Sequence, residues 1–528
     1  MKIFARCDDL AAVFAASGAA EPGLLLEGDW PAASTSSRLW SLDEAIDARA
    51  QWIDATAAWL AAELECGPSR VRSAAAATHA LALRYYLVRL LRPIAFFQDA
   101  AARGGPGNLE FFGTPERDDD YAALLAMLAE REGQRLVVHW RPFSAVREPA
   151  PAEASTWRAR LRPLAARTAG WLDRRPSPHA SAARFVLCGN PRILDPLCSE
   201  LVSRGADVAW LYEQFAFRSW LRWRPQGVGQ WVCGAAPAPV SDIPPEHALP
   251  FGAAPPLLVR GVDLAGLVDR WLEQRCQHAG ERWQGFQERL AARLRAARPR
   301  AIVLDQDATP LARTAIAAAR ELAIPTWVVQ HGVTGVRFGF APLAADRICV
   351  ADEASRRQLR AWEIPDRRMH VTGSPARDEL RRRLAAVCAP APHPTGLPEP
   401  TLLLLLSNSP RDERPDSVTF HLTTRTATEL LATVQSALRA WPGAHLLVKL
   451  HPREQRAAEL RALLCSSSAQ PVSIVAGPLE RLLPRADVVL SCASTAGIDA
   501  AALGWPVIQL LPRGSGELLP ADEYGLLG

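Results

Sequence analysis

Short apolar runs alternate along this chain with longer segments whose apolar residues recur every three or four positions. Residues 301–305 (AIVLD) are apolar and then polar, and an alanine-rich helical pattern follows with Leu311, Ala315, Ala318 and Leu322 on one face. Ile324-Pro325 ends that pattern, because the residue before a proline disfavours helical backbone. A second apolar run (Trp327, Val328, Val329) stops at Gln330-His331-Gly332. Strand, helix, strand in this order predicts a parallel sheet, with His331 at the carboxyl end of its strand.

The same rhythm recurs on both sides. RFVLCGN (184–190) predicts a strand, PRILDPLCSELVSRG (191–205) a helix closed by Gly205, and ADVAWLY (206–212) a strand again. A helical stretch over about 264–297 leads into AIVLD, and RICVAD (347–352), a helix and MHVTGSP (369–375) continue the series. Residues 389–400 (APAPHPTGLPEP) hold five prolines and read as a connection between domains. A second series begins at TLLLLLSNSP (401–410), whose pure apolar run 402–406 reads as a buried strand. Further strands are predicted in AHLLVKL (444–450), ADVVLS (486–491) and WPVIQL (505–510). No closing helix is evident after them, so this part reads as truncated at its C-terminus. Towards the N-terminus, strands are expected at 2–5, 23–26 and 135–139 and helices around 43–64 and 73–91. A loose Pro/Ala/Arg stretch over 149–178 follows.

The expected fold class is therefore α/β, with two Rossmann-like parallel-sheet domains facing a cleft and an N-terminal α/β or mostly helical accessory region. The divisions are 1–175 (accessory), 176–388 (first Rossmann-like, acceptor side) and 389–528 (second Rossmann-like, nucleotide donor side). A length of 528 residues fits this, being too much for one ordinary core.

Composition narrows the function mainly by exclusion. Net charge is only +4 and no long basic face is visible, which argues against nucleic acid as a partner. The N-terminus carries Asp8 and Asp9 where a signal peptide needs apolar residues. No stretch approaches the ~20 apolar residues of a membrane span. The cytoplasm is the expected location, with peripheral association on the cytoplasmic face of the inner membrane as an option. Ten cysteines without a CxxC pair read as reduced core residues, neither a disulfide framework nor a zinc site.

Candidate chemistry gathers at the carboxyl ends of predicted strands, the edge where open α/β sheets bind ligands. His331 sits there and can exchange a proton near neutral pH. In KLHPRE the strand ends at Leu450, and Pro452 suits a first helical position, which would make His451 the N-cap. The free N–H groups and partial positive charge of such a helix start suit a phosphate, and Lys449 lies two residues away. A capped helix with a structural histidine is the plainer alternative. In SCASTAGIDA, Ser494 and Thr495 open another helix and are candidates for a diphosphate, with an ordinary N-cap as the alternative. Asp499, one turn deeper, is a candidate for a ribose hydroxyl. In TGSP, Gly373 and Ser374 form a turn able to line a cleft.

Taken together, QHGVTG, VTGSP, KLHP and SCASTAGIDA, each after a strand and in this order, resemble the GT-B glycosyltransferase superfamily. The nearest likeness is to bacterial enzymes of surface-polysaccharide assembly: CDP-glycerol glycerophosphotransferases, capsule transferases and HP-motif sialyltransferases. The resemblance spans roughly residues 184–511 and implies a GT-B fold. It implies His331 as the general base, with His451 (followed by Pro452), Ser494 and Thr495 on the donor phosphate and Lys449 beside them. Gln330 and Gly332 would shape the acceptor side, and Asp499, Gly373 and Ser374 the donor cleft. It further implies a CMP-, CDP- or UDP-linked sugar as donor, a glycan or lipid-linked glycan as acceptor, and no metal or other cofactor. Val333-Thr334-Gly335 stands where the glycerophosphotransferases carry Thr-Pro and a Lys, which counts against a glycerol phosphate donor. The first 175 residues resemble nothing identified.

Rival readings remain. Asp305–Asp307 (DQD) and Asp118–Asp120 are acidic candidates for a metal, although Asp307 suits a helix cap and the second stretch a solvated helix start. A UDP-N-acetylglucosamine 2-epimerase shares the double-Rossmann plan, but its motif after the corresponding strand differs from QHGVTG. A non-catalytic nucleotide- or glycan-binding module also fits. No GxSxG elbow supports a hydrolase. The run 215–224 (FAFRSWLRWR) could rest on a membrane or a glycan, and core packing of its aromatics is the favoured reading.

Overall fold

The structure is a computed structural model describing residues 1–6, 11, 14–15, 23–27, 39–41, 50–65, 76–77, 79–102, 108–115, 118–140, 184–213, 217–233, 256–332, 334, 337, 339–387, 400–406, 424–439, 441, 443–450, 472–492 and 494–510. Three parallel sheets follow one another along it.

The N-terminal sheet is built from β1 (Lys2–Arg6), β2 (Gly23–Glu27), β3 (Leu39–Ser41), β4 (Leu109–Gly113) and β5 (Leu136–Trp140), in the order β3-β2-β1-β4-β5. Helices α1 (Ala50–Glu65), α2 (Ala80–Ala102) and α3 (Asp119–Arg131) accompany it, so this region is α/β. The central strand partner β4 was not expected from the sequence. Its LEFFG has the alternating burial of a strand, with Leu109 and Phe111 fully buried.

The central sheet has seven strands. β6 (Phe185–Cys188), α4 (Pro191–Ser203), β7 (Val208–Tyr212), α5 (Phe217–Trp223) and β8 (Gly229–Val232) form one wing. A two-stranded hairpin, β9 (Leu258–Val259) and β10 (Val262–Asp263), and the long α6 (Ala265–Ala297) lead to the other wing. This comprises β11 (Ala301–Leu304), α7 (Pro310–Glu321), β12 (Thr326–Val329), β13 (Arg347–Val350), α8 (Glu353–Ala361), β14 (Met369–Val371) and α9 (Pro375–Val387). The order is β14-β13-β12-β11-β6-β7-β8. The C-terminal sheet, β17-β16-β15-β18-β19, uses β15 (Thr401–Leu406), α10 (Thr424–Arg439), β16 (His445–Lys449) and β17 (Val472–Val475), then α11 (Leu479–Leu482), β18 (Val488–Cys492), α12 (Thr495–Ala502) and β19 (Val507–Gln509).

All three sheets share the 3-2-1-4-5 Rossmann order. The chain runs outward from the first strand, then crosses to its other side, which leaves a crevice between first and fourth strands at their carboxyl ends. That crevice lies between β6 and β11 in the central sheet and between β15 and β18 in the C-terminal one. The central strands are apolar throughout because both faces are covered. Along β15, Leu402, Leu404 and Leu406 enter one core and Leu403 and Leu405 the other.

Helix α6 joins two cores. Its start (Leu267, Val268, Trp271, Leu272) packs with the N-terminal unit, and Tyr86 stacks on Trp271 at 5.1 Å between ring centroids. Its end (Phe286, Leu290, Leu294) packs under the central sheet. Over 33 residues it is a beam about 50 Å long.

Several expectations are corrected. Asp307 does not cap α7: Thr309 does, accepting from the Ala312 N–H at 3.3 Å, while Asp307 accepts from the N–H groups of Ala344 and Ala345. Asp118 does precede a helix but is not solvated, being 1 % exposed and accepting from the Thr114 N–H. Residues 217–223 are a helix rather than part of a loop, and Trp223 is buried with its Nε1–H donated to Asp195, the packing reading of that run. Residues 214–216 of the same run lie outside the described residues. So do most of the proline-rich connection, the 149–178 stretch and everything after 510. No described helix is long and apolar enough to cross a membrane.

Candidate functional site

The carboxyl edge of the central sheet meets that of the C-terminal sheet in a cleft of about 90 Å³, lined by Ile193, His331, Asp352, Arg377, Thr495 and Asp499 among others. Gly332 and Thr495 approach each other across it. A Cβ placed on Gly332 would come to 3.5 Å from Thr495 Cγ2 in the opposite unit. The walls are tied by Arg377 of α9, whose Nε donates to Asp499 Oδ1 at 3.2 Å while Nη1 lies 4.0 Å from Asp352 Oδ2. Burial pushes the Asp499 carboxyl up and Arg377 counteracts it. Asp499, a sequence candidate for ribose, is thus held by a cation from the other unit.

His331 follows β12 after Gln330. Its ring stacks on Phe340 at 4.8 Å between centroids and 9° between planes. Nδ1 lies 3.1 Å from the Asp305 carbonyl oxygen. A carbonyl only accepts, so Nδ1 carries the proton, and Nε2 is left with the lone pair. Burial lowers the imidazole pKa, and the Asp305 carboxylate opposes that shift. The ring is therefore neutral near pH 7, and Asp305 stabilises the imidazolium once a proton is taken.

Asp305 ends β11 at the crevice and is 5 % exposed. Its Oδ2 accepts from the Asn190 N–H at 3.0 Å, and burial pushes its carboxyl up. Only glycine at 189 permits this approach: φ is +143°, and a Cβ there would lie 2.0 Å from Asp305 Oδ1. Gly189→Ala is expected to expel the Asp305 carboxylate and destabilise the fold by about 2–4 kcal/mol through strain plus overpacking. Chemical denaturation of the two proteins, with the His331 titration as a second readout, checks this.

Two further cations stand at the carboxyl edges of the two sheets, outside the lining just named. Lys449 ends β16, half-buried, with its pKa lowered first by burial and then by Arg192. Arg192 belongs to the start of α4, where Asn190 caps the helix by accepting the Arg192 N–H at 3.0 Å. Two cations from two units therefore face each other, and neither forms an ion pair with a carboxylate among the described residues. The start of α12 lies on the same edge. Ser494 occupies its N-cap position but its hydroxyl makes no cap bond, and Thr495 is exposed. Tight packing sets this helix on β18, since a Cβ on Gly497 would lie 2.2 Å from Ser491 Oγ.

The remaining sequence candidates fall as follows. Gln330 is spent on scaffolding: its amide donates to the Gly332 carbonyl and Ser355 Oγ and accepts from the Ala351 N–H, although it also borders the cleft. Ser374 borders the cleft and accepts from the Arg377 N–H at 3.3 Å. Gly373, at φ +84°, makes the turn that precedes it. His451 and Pro452 lie outside the described residues. Arg192, Arg377, Gly189 and Phe340 were not singled out from the sequence, and Asp305 only as a metal candidate. Among the described residues, no group of three His, Cys, Asp or Glu side chains could hold a metal ion.

No family model matches the chain, and no curated protein matches it in sequence. Among solved structures, the UDP-GlcNAc 2-epimerase of Neisseria meningitidis bound to UDP-GlcNAc is similar at 14 % identity and a TM-score of 0.38, covering 65 % of this chain and 84 % of that one. The S. aureus MnaA–UDP structure gives 12 % identity, TM-score 0.40 and coverages of 65 % and 83 %. Acinetobacter baumannii MurG gives 14 %, 0.35, and 63 % and 82 %. Similarities of this size leave the chemistry of the site to its own residues.

Proposed function

We propose that the chain is a GT-B-type glycosyltransferase that moves a sugar from a cytidine or uridine nucleotide donor to a surface-polysaccharide or glycolipid acceptor. The observation that carries this reading is a neutral histidine at the carboxyl edge of the central sheet together with Arg192 and Lys449 at the facing edges, with no carboxylate in ion-pair range of either cation among the described residues. The first suits a base for a hydroxyl, the second a leaving phosphate.

In the proposed step the acceptor O–H gives its proton to His331 Nε2 and its oxygen attacks the anomeric carbon. The bond from that carbon to the donor phosphate oxygen breaks, and the nucleotide leaves with the negative charge. Lys449, Arg192 and the free N–H groups at the start of α12 hold that charge. A single displacement of this kind inverts the anomeric centre, and the cationic side chains take the role a metal would otherwise have. His451 fits as a further phosphate contact by its position after Lys449. The three-part division of the chain, with acceptor on the central unit and donor on the C-terminal one, belongs to this proposal.

A second reading is favoured by one specific feature. The buried Asp305 carboxyl, its pKa raised, and the His331 imidazole, its pKa lowered, are two proton-exchanging groups beside one another, which an epimerisation without an acceptor could use. Incubating the full chain with CMP-, CDP- and UDP-sugars, with and without oligosaccharide or lipid-linked acceptors, distinguishes the two. Acceptor-dependent release of free nucleotide is expected. Sugar interconversion with no acceptor would replace the transferase reading with the epimerase one.

A further inference from the structure

The N-terminal unit reaches the His331 loop through one buried side chain. Arg84 lies on α2, is 1 % exposed, and donates from Nη1 to the Ala341 carbonyl at 2.6 Å. Ala341 follows Phe340, the residue stacked on the His331 ring. Arg84 is held in turn by Glu65 at the end of α1, which lies 3.9 Å from Arg84 Nη2 and 3.3 Å from Arg313 Nη1 on α7. Glu65 therefore joins a helix of the N-terminal unit to a helix of the central one, with Arg84 set between them and the loop.

The rest of the loop is fastened from below. Asp307 accepts from the N–H groups of Ala344 and Ala345, and Arg368 donates to the carbonyls of Leu343, Ala345 and Asp346. These bonds all lie C-terminal to Phe340. At Ala341 itself Arg84 supplies the side-chain support. We infer that Arg84 is a positioning residue: by holding the Ala341 carbonyl it keeps Phe340 against His331, which makes the N-terminal unit part of the machinery for proton transfer.

The energetics suit such a role better than a role in stability. A buried guanidinium is costly, and among the described residues Arg84 has one carboxylate in ion-pair range, while its Nε and Nη2 find no hydrogen-bond partner there. Its pKa falls to about 10 through burial and the neighbouring Arg313. An apolar side chain would fill the space at less cost, but it could not bind a carbonyl. The charged groups around this network are Glu65, Arg313, Arg337 and Asp307, and those around the imidazole are Asp305 and Asp307.

This inference rests on His331 being the base, and the test separates the two ideas. The full chain with isotope-labelled histidine is followed by NMR over pH, with the His331 signal assigned by its absence in His331→Gln. In the wild type the stacked Phe340 ring shifts the His331 Cε1–H signal upfield, and the ring titrates below the ordinary histidine value. In Arg84→Met the upfield shift is expected to be lost and the titration to move up towards that ordinary value, with circular dichroism and melting temperature showing a folded protein. Arg84→Lys keeps the charge but cannot reach both Glu65 and the Ala341 carbonyl, so it should show the same displacement to a smaller degree even if the Met variant does not fold. An unchanged His331 signal in either folded variant would overturn the inference. A displaced signal in a protein without transferase activity would uphold it and remove the transferase reading instead.

Discussion

His331→Gln lowers the rate of sugar transfer by roughly 10²–10⁴-fold while leaving donor affinity within a few-fold of the wild type. The split follows from geometry. Nδ1–H is committed to the Asp305 carbonyl, so Nε2 is the nitrogen left to take a proton. Glutamine preserves size and polarity but cannot accept a proton. The donor phosphate is assigned to Arg192, Lys449 and the start of α12, not to His331, so binding survives. The pH profile carries the same message. Burial holds the His331 pKa below its ordinary value of 6.5. The active form is the neutral ring, so activity stays level above that value and falls only on further acidification. Steady-state kinetics at several pH values check both points. An acid limb centred above 6.5, or a variant that retains the rate, would remove His331 from the chemistry.

Replacing Lys449 and Arg192 together by Met reduces donor affinity by about 100-fold or more. Hydrogen bonds to charged groups contribute about 1.5–3 kcal/mol each, and two such contacts to one diphosphate add incompletely. The same variant melts at a higher temperature than the wild type when no ligand is present. Burial and the like charge of Arg192 depress the Lys449 pKa, so its ammonium is held at a cost, and removing it relieves that cost. Loss of affinity with gain of stability is the signature of residues kept for a ligand. Calorimetric titration and thermal melting measure the two effects. Lower stability with unchanged affinity would make the pair structural.

The sheets were legible because their strands are short, apolar and punctuated. TLLLLL is buried on both faces, so its run has no polar interruption, and AIVLD and TWVVQ end where polar residues reach the carboxyl edge. LEFFG was missed because Gly and Glu break its apolar run, although its alternation matches a strand. The Rossmann order of the N-terminal unit depends on that strand and could not be read without it.

Within the site, what lies at a strand end or helix start could be found from local pattern: His331, Lys449, Ser494 and Thr495. What depends on meeting residues far along the chain could not. Arg192 matters because it faces Lys449, Arg377 because it meets Asp499, and Arg84 because it meets Ala341. Gly189 carried a usable signal, a glycine between a strand and an Asn-Pro helix start, but its reason is the carboxylate of Asp305, more than a hundred residues away. Asp307 was misassigned because Asp and Thr both cap helices, and only the geometry shows that Thr309 takes the cap and leaves Asp307 for the His331 loop.

A crystal structure of the full chain with a uridine or cytidine diphosphate sugar bound decides where the donor lies. The diphosphate is expected between Arg192, Lys449 and the start of the helix at Thr495, with the anomeric carbon turned towards His331 Nε2. A nucleotide bound elsewhere, or one whose phosphates avoid both cations, would contradict that placement.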